Sequence, residues 1–367
     1  MLDTAFRHWL DANAEAIDQG QCDPHRVLAH IAESQVLRVG IAPALGGSGG
    51  DVTDAVEAIA AIASRSLASA FVCWGQRAFI EYLLHSPNEA LRERLLADLL
   101  SGELAGATGL SNAMKFLSGI EALQVQARAQ ADGWTLEGRL HWVTNLRQIE
   151  GRLHWVTNLR QSGFVVAAAI EAEQGQAPFV MAIPSASVGL ERSDDLQLMG
   201  LQSSSTAALA FHQVQLDRSW LLHDNAREFL PRVRPAFLAL QCGMSIGLAR
   251  RALDEVREHL QGRGSFLAEA EQVLRERLEN TVGELKQGLL DGRFLAQPAA
   301  LFKLRITLAE SAADAVQMEL QASGGKAYLT AYGEGFARRW RESAFVPIVT
   351  PSLVQLRAEL QRQAASV

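Results

Sequence analysis

Hydrophobic positions in the first hundred residues recur at steps of three and four. The positions that show this most clearly are Val52, Val56, Ile59, Ile62, Leu91, Leu95 and Leu99. This period places apolar side chains on one face of a helix. A glycine-rich break at residues 44–50 separates two helical stretches. The pattern predicts an N-terminal helical domain at residues 1–103.

The period changes after about residue 104. Leu123, Val125 and Ala127 alternate with polar residues, which predicts a half-buried strand. Two nearly all-apolar runs, residues 164–170 and 179–183, predict strands that are covered on both faces. Residues 207–216 add a further candidate strand. We expect a middle antiparallel β domain at residues 104–223.

The helical period returns after Leu222. Two series of apolar residues carry it: Ile246, Ala249, Leu253, Val256 and Leu260, then Leu301, Leu304, Leu308, Ala312 and Ala315. Such series form seams for neighbouring helices, either between subunits or inside one bundle. The C-terminal part, residues 224–367, is therefore predicted to be a four-helix domain. The whole chain is expected to be a multidomain α+β protein.

Residues 137–148 and 150–161 are the same twelve letters, EGRLHWVTNLRQ. The offset is thirteen, so the repeat is a tandem duplication and not a solenoid period. Because thirteen is odd, one strand running through both copies would turn their side chains to opposite faces. One copy must loop out or form its own hairpin. The joint, Ile149-Glu-Gly-Arg152, is similar to a protease site used in expression vectors, and a natural duplication or a sequence error are equally open.

Composition and charge exclude several classes of protein. The net charge of −7 argues against a nucleic-acid-binding protein, and the 48% hydrophobic content allows sizeable cores. No apolar run reaches the ~20 residues of a membrane span, and the acidic N-terminus lacks the features of a secretory signal. Three widely spaced cysteines indicate a reducing cytoplasm. No histidine or cysteine motif predicts a metal site.

Several segments together resemble the acyl-CoA dehydrogenase family, whose members use FAD, and its related flavin monooxygenases. These segments are VGIAPALGGSGG at 39–50, LADLLSGELAGAT at 96–108, HWVTN at 141–145 and 154–158, residues 199–216, QASGGKAY at 321–328, and Arg338 with Arg341-Glu342. Each is weak alone, but all six occur in the family's order. The resemblance implies the family fold and an FAD-dependent oxidoreductase that desaturates an acyl-CoA thioester.

The WVT triplet fits a flavin contact. Trp and Thr lie two residues apart on a strand, so both side chains point to the same face. An indole can lie beside the flavin ring while a hydroxyl reaches a ring nitrogen or oxygen. The pair is either Trp142 with Thr144 or Trp155 with Thr157, and the sequence leaves this choice open.

The resemblance implies further cofactor contacts. Thr108 and Ser111 stand in a stretch that replaces the family's loop over the flavin, and that stretch has lost the loop's acidic residues. The other positions implied to contact FAD, partly from a neighbouring subunit, are Gln321, Gly324, Gly325, Arg263 and Phe266. For Gly324 and Gly325 the alternative is a plain helix cap, and for Arg263 it is a solvated loop arginine.

Neither position of the family's catalytic glutamate carries a carboxylate. Thr350 stands at the first, and the second falls at Phe237 or Leu238. A carboxylate base is needed because a thioester α-proton is weakly acidic. Three hypotheses follow: a dehydrogenase with its base elsewhere, a flavin-dependent monooxygenase, or a catalytically silent partner subunit that binds flavin or acyl groups.

The resemblance also implies the surroundings of the reaction. We expect an acyl-CoA or similar small-molecule substrate, a role in fatty acid metabolism, and an electron-accepting flavoprotein or reductase as partner. A homodimer or homotetramer in the cytoplasm is expected, with no nucleic acid and no integral membrane part.

Overall fold

The computed structural model describes residues 2–117, 119, 121–140, 156–173, 175–260 and 266–365. The chain begins with a layer of five helices. They are α1 (Thr4–Asp18), α2 (Pro24–Glu33), α3 (Val52–Ala63), α4 (Leu67–His85) and α5 (Glu89–Ser101). Helices α3 and α5 contain the two hydrophobic series of the sequence. Helix α4 is buried along most of its length, so it forms the centre of this region.

Side-chain caps fix where these helices begin. Asp51 accepts a hydrogen bond from the backbone N–H of Thr53, and Asp54 accepts one from the backbone of Asp51, which completes a reciprocal cap of α3. Ser66 caps α4 by accepting from the N–H of Ser69. These bonds satisfy donors that a helix leaves unpaired at its start.

The middle region consists of two four-stranded sheets. The strands are β1 (Ala105–Thr108), β2 (Val125–Gln130), β3 (Gly133–Leu140), β4 (Phe164–Ile170), β5 (Phe179–Pro184), β6 (Leu190–Arg192), β7 (Leu209–Asp217) and β8 (Leu221–His223). One sheet has the order β1-β4-β5-β8 and the other β2-β3-β7-β6. All pairs are antiparallel except β1 with β4, which is parallel. Strand β4 is buried at every residue, as its apolar run predicts.

A short helix, α6 (Ser111–Leu117), lies between β1 and β2. The last region is helical and comprises α7 (Ala226–Leu260), α8 (Phe266–Leu290), α9 (Arg293–Ala296), α10 (Pro298–Ser323), α11 (Glu334–Phe345) and α12 (Leu353–Ala365). The predicted seams lie inside the molecule, because α7 packs against both α10 and α3. No helix in the described ranges is long and apolar enough to cross a membrane.

Two glycines let α7 approach α3 closely. A Cβ at Gly247 would lie 2.1 Å from the carbonyl oxygen of Ala60, and one at Gly243 would lie 2.8 Å from that of Val56. Neither distance is tolerable for a side chain, so the approach requires glycine at both positions.

Helix α11 joins the C-terminal helices to the N-terminal layer. Arg341 pairs with the buried carboxylate of Asp18 at 2.6 Å. Glu342 accepts a hydrogen bond of 3.0 Å from the backbone N–H of Leu67, at the start of α4. Arg338 donates to the carbonyl oxygen of Arg65 at 3.0 Å. The segment that resembles the family's arginine-rich motif therefore connects two regions of the fold.

Candidate functional site

Thr108 lies at the end of β1, where the sequence predicts a flavin contact. Its side chain is buried, and its hydroxyl forms a 2.8 Å hydrogen bond with the hydroxyl of Tyr82 on α4. Burial raises the pKa of Tyr82, so this phenol stays protonated. Thr108 is thus held against α4. Ser111 begins α6, and its side chain lies outside the described residues.

Thr157 is the one residue of the two predicted indole–hydroxyl pairs that the structure describes; Trp142, Thr144 and Trp155 lie outside the described residues. The Thr157 hydroxyl forms a 3.0 Å hydrogen bond with that of Thr206 and is buried. Its contact with a flavin stays a prediction.

Asn158 connects the β region to α4. Its amide nitrogen donates to the side-chain oxygen of Gln76 at 2.8 Å and to the carbonyl of Gly106 at 2.9 Å. Gln76 in turn accepts from the backbone of Gly106 at 2.6 Å and donates to the carbonyls of Leu99 and Leu104. We call Gln76, Gly106 and Asn158 the Gln76 network. Its members are far apart in sequence, so the sequence pattern does not indicate it.

The register of the strands shows how the duplication enters the fold. Leu140 of the first copy pairs with Leu209 on β7, and Val156 of the second copy pairs with Ala207. Only Ala208 separates the two partners, whereas fifteen residues separate Leu140 from Val156. An uninterrupted ladder would need one residue opposite Ala208, so the chain holds fourteen residues more than that, close to the repeat offset of thirteen. The described pairs with this strand edge thus come from the start of the first copy and from the second copy.

Thr350, at the first position of the missing base, is buried and closely held. Its carbonyl oxygen accepts a 2.7 Å hydrogen bond from the side-chain amide of Gln241 on α7. Arg305 on α10 donates to the Gln241 oxygen at 3.2 Å and to the carbonyl of Val346 at 3.1 Å. The Thr350 hydroxyl has no hydrogen-bond partner among the described residues. We call Gln241, Arg305 and Thr350 the Thr350 network.

Arg305 carries a buried charge without a carboxylate partner in the described part of the chain. It is 1% exposed, and one of its terminal nitrogens, Nη1, forms no hydrogen bond there. Burial lowers the pKa of its guanidinium. Burial also raises the pKa of the neighbouring Cys242 thiol to about 12, so Cys242 is protonated and unreactive at neutral pH. Arg305 stands within the apolar series from Leu301 to Ala315, and nothing in the sequence indicates that it binds Gln241 and Val346.

Phe237, at the second base position, belongs to an aromatic cluster. Its ring centroid lies 5.2 Å from that of Trp74 on α4, and the Trp74 indole N–H donates to the Phe237 carbonyl at 3.3 Å. Phe71 stacks against Trp74 and meets Phe345 at 4.7 Å. This cluster fills the space between α4 and α7. The ring contact of Phe237 is therefore with an indole and not with a carboxylate.

A narrow pocket of about 30 Å³ lies beside Thr350, between α6, α7, α10 and α12. It is lined by Met114, Lys115, Leu117, Arg234, Leu238, Phe302, Pro351, Gln355, Leu356 and Glu359. We call it the Thr350 pocket because Pro351 follows Thr350 directly. Leu238 and Phe302 each stand one turn before a member of the Thr350 network, so that network lies behind the pocket wall.

Gln321, Gly324 and Gly325 lie at the end of α10 and are exposed. Gly324 has φ +61° and ψ −149°, a conformation that only glycine adopts readily, and a Cβ there would meet open space. A ligand can therefore reach this backbone. The other two predicted contacts, Arg263 and the side chain of Phe266, lie outside the described residues.

A charged cleft of about 610 Å³ lies next to these glycines, lined by Ser323 and Lys326 on either side of them. Its charged lining residues are Arg65, Arg251, Lys326, Arg338, Arg339, Asp11, Glu255 and Glu319, so five cations face three carboxylates. Four of the cations pair with carboxylates, three of them inside the cleft and Arg338 with Glu342. Lys326 has no such ion pair among the described residues, and with the accessible backbone beside it this side chain fits a phosphate of FAD. Contact of the glycine segment with FAD stays a prediction.

Comparisons with known proteins agree with this architecture. Residues 2–103 match the domain family described as acyl-CoA dehydrogenase, N-terminal domain. Human mitochondrial short-chain specific acyl-CoA dehydrogenase is 22% identical over 340 residues, covering 86% of this chain and 77% of the relative. The resemblance to the acyl-CoA dehydrogenase family is confirmed. With it, the predictions of the family fold, of an FAD-dependent oxidoreductase and of FAD as cofactor are confirmed.

Solved structures of this acyl-CoA dehydrogenase-like fold include different enzymes. Butyryl-CoA dehydrogenase from Megasphaera elsdenii superposes with a TM-score of 0.75 at 18% identity, covering 98% of this chain and 95% of that chain. Dibenzothiophene monooxygenase from Paenibacillus sp. A11-2 gives a TM-score of 0.74 at 15% identity, covering 98% and 94%. The fold of this acyl-CoA dehydrogenase-like protein is thus common to enzymes named as dehydrogenases and as monooxygenases.

Proposed function

We propose that this protein is an FAD-dependent oxidoreductase that acts on a small acyl-type substrate in an oxygen-dependent reaction, without a glutamate base. The observation that carries the proposal is the nature of both base positions. Thr350 has a buried hydroxyl with no acceptor among the described residues, and Phe237 is enclosed by aromatic rings. Neither residue can remove an α-proton near neutral pH.

Bound FAD would supply the two-electron redox chemistry of this reaction. The residues of the chain would bind the cofactor, orient the groups around it and exclude water. Lys326 stands where it can pair with the phosphates, next to the accessible backbone of Gly324 and Gly325. Gln241 fixes the Thr350 carbonyl, and the Trp74–Phe237 contact keeps water from the space between α4 and α7.

Flavin absorbance distinguishes this proposal from acyl-CoA desaturation. Purified protein containing FAD is mixed with butyryl-CoA without oxygen. We expect the yellow absorbance of the wild type to persist, because no base removes the α-proton. Oxygen uptake should instead depend on acyl substrate when a flavin reductase and NADH reduce the cofactor. Rapid anaerobic bleaching of the wild type by butyryl-CoA would overturn the proposal.

Thr350→Glu and Thr350→Gln form a matched pair for the same experiment. The two side chains are equal in size, but only the glutamate can act as a base. We expect anaerobic bleaching by butyryl-CoA only in Thr350→Glu. Equal behaviour of the two variants would mean that position 350 does not face the substrate.

A second candidate function, acyl-CoA desaturation, is favoured by one observation. Glu359 is the one carboxylate among the described residues that line the Thr350 pocket. Arg362 holds it in an ion pair of 2.7 Å, so its position is fixed. If bleaching occurs in the wild type, Glu359→Gln should abolish it. Glu310→Gln is the control. Glu310 lies on α10 and pairs with Arg357, which is on α12 as Glu359 is, but Glu310 does not line the pocket.

A further inference from the structure

Arg234 is an unneutralised cation in the wall of the Thr350 pocket. Its guanidinium carbon lies 5.7 Å from the ring centroid of Phe302, another wall residue. Its Nε is buried and has no hydrogen-bond partner among the described residues, and no ion pair to a carboxylate is formed there. Burial lowers the pKa of Arg234, while the charge of Glu359 acts in the opposite direction. The ring therefore positions the guanidinium, and its Nε–H has no acceptor among the described residues.

The other charged groups of the pocket already have partners of opposite sign. Lys115 pairs with Glu121 at 3.0 Å, and Glu359 pairs with Arg362 at 2.7 Å. The pocket walls thus retain one net positive charge, that of Arg234. Arg234 itself is half-buried, so its guanidinium is partly removed from water without gaining a carboxylate partner among the described residues. An anionic ligand would supply that partner.

The size of the pocket limits the anion. The pocket of about 30 Å³ has room for roughly two water molecules, since one water needs roughly 10–15 Å³. The space therefore suits the two oxygens of a carboxylate and is too small for a phosphate group with its substituent. The chain that carries the carboxylate would extend out of the pocket.

We propose that the Thr350 pocket binds a carboxylate through Arg234. The carboxylate belongs either to a free short-chain acid or to the far end of an acyl thioester. Only the second source rests on the proposed function, since the binding itself requires no redox step. The guanidinium would donate charge-assisted hydrogen bonds to the carboxylate oxygens inside the pocket.

Calorimetric titration with sodium butyrate tests this site without any turnover. Butyramide, an uncharged compound of the same shape, is titrated in parallel at equal ionic strength. We expect the wild type to bind butyrate and not butyramide. Arg234→Met should weaken butyrate binding by roughly tenfold or more, because a charge-assisted hydrogen bond is lost. Arg234→Lys should retain part of the affinity, which separates loss of charge from loss of folding.

Arg232→Met is the matched control. Arg232 lies two residues earlier on α7, but it is exposed and does not line the pocket. Its variant should bind butyrate as the wild type does. The proposal is overturned if the wild type does not bind butyrate, if butyramide binds equally well, or if Arg234→Met binds like the wild type.

Competition identifies the source of the carboxylate. Glutaryl-CoA and butyryl-CoA are compared as competitors of butyrate. Stronger competition by glutaryl-CoA assigns the site to the far end of a thioester, whereas equal failure of both assigns it to a free acid. Butyrate binding through Arg234 with no redox reaction of any acyl-CoA would refute the proposed function and leave the carboxylate site intact.

Discussion

Gln241 is the residue that joins the most parts of the candidate site. It donates to the Thr350 carbonyl and accepts from Arg305, so it connects α7, α10 and the segment before α12. All three residues of the Thr350 network are buried. Burying a polar group costs little free energy only when its donors and acceptors form hydrogen bonds. The position of Thr350 therefore depends on Gln241 more than on its own side chain.

Gln241→Leu should destabilise the protein strongly. It leaves the Thr350 carbonyl without its donor and one nitrogen of Arg305 without its acceptor. We expect the free energy of unfolding to fall by about 3 kcal/mol, because each buried partner left unpaired costs about 1–3 kcal/mol. Urea unfolding at neutral pH measures this change.

Ser245→Ala is the control for that substitution. Ser245 lies one turn further along α7 and is buried, and its hydroxyl has no partner among the described residues. Removing it should change the free energy of unfolding by less than about 0.5 kcal/mol. A similar loss in both variants would mean that packing, not hydrogen bonding, determines the effect at Gln241.

At the level of elements, periodicity in the sequence predicts much of the fold. The apolar run at 164–170 coincides with β4, and the series from Ile246 lies in α7. Helix α6 is not predicted, because seven residues are too few to show a period. The Gln76 network and the Thr350 network are not predicted either, since their members meet only through tertiary packing. The family resemblance identifies Thr350 and Phe237 as the residues at the base positions. Only the structure shows which side chains surround them.

The duplication in the β region allows a test at this scale. Deleting residues 141–153 joins Leu140 to His154 and leaves one copy of EGRLHWVTNLRQ. We expect the circular dichroism spectrum and the urea midpoint to stay close to those of the full chain. Leu140 and Val156 pair with residues that only Ala208 separates, and a shorter connection between them costs less entropy to close.

The deletion of residues 141–152 is the matched control. It leaves one residue more, so three residues instead of two would lie between Leu140 and Val156. This extra residue shifts the side-chain alternation. We expect this variant to be less stable than the thirteen-residue deletion. Equal stability of the two deletions would mean that the pairing on either side of Ala208 does not depend on the thirteen-residue offset.

For the whole molecule, α11 is the main connection between the first and last helical regions. Glu342 is 1% exposed and lies near Arg338 at 3.4 Å. Its pKa is nevertheless raised, mainly by burial, with attraction to Arg338 and the hydrogen bond from Leu67 opposing the shift. A folded-state pKa above the unfolded value means that the acid stabilises the fold when protonated. This contribution is lost as pH rises through the folded pKa.

Glu342→Gln should therefore change the pH dependence of stability. The amide oxygen can still accept from Leu67, but it does not ionise. We expect the free energy of unfolding of Glu342→Gln, relative to the wild type, to increase as pH rises from about 4 toward 7. Urea titrations at several pH values measure this difference. A difference between Glu342→Gln and the wild type that stays flat with pH would refute the raised pKa.

The glycines of α7 restrict which changes the Thr350 pocket can accept. Gly243 and Gly247 each lie nine residues beyond a pocket residue, Arg234 and Leu238, and nine residues correspond to two and a half turns. The close approach to α3 and the pocket therefore occupy opposite sides of one helix. Because neither glycine tolerates a larger residue, a change at either would push α7 away from α3 and displace the pocket wall on its other side. Exchanging the side chains that line the pocket leaves this close approach undisturbed.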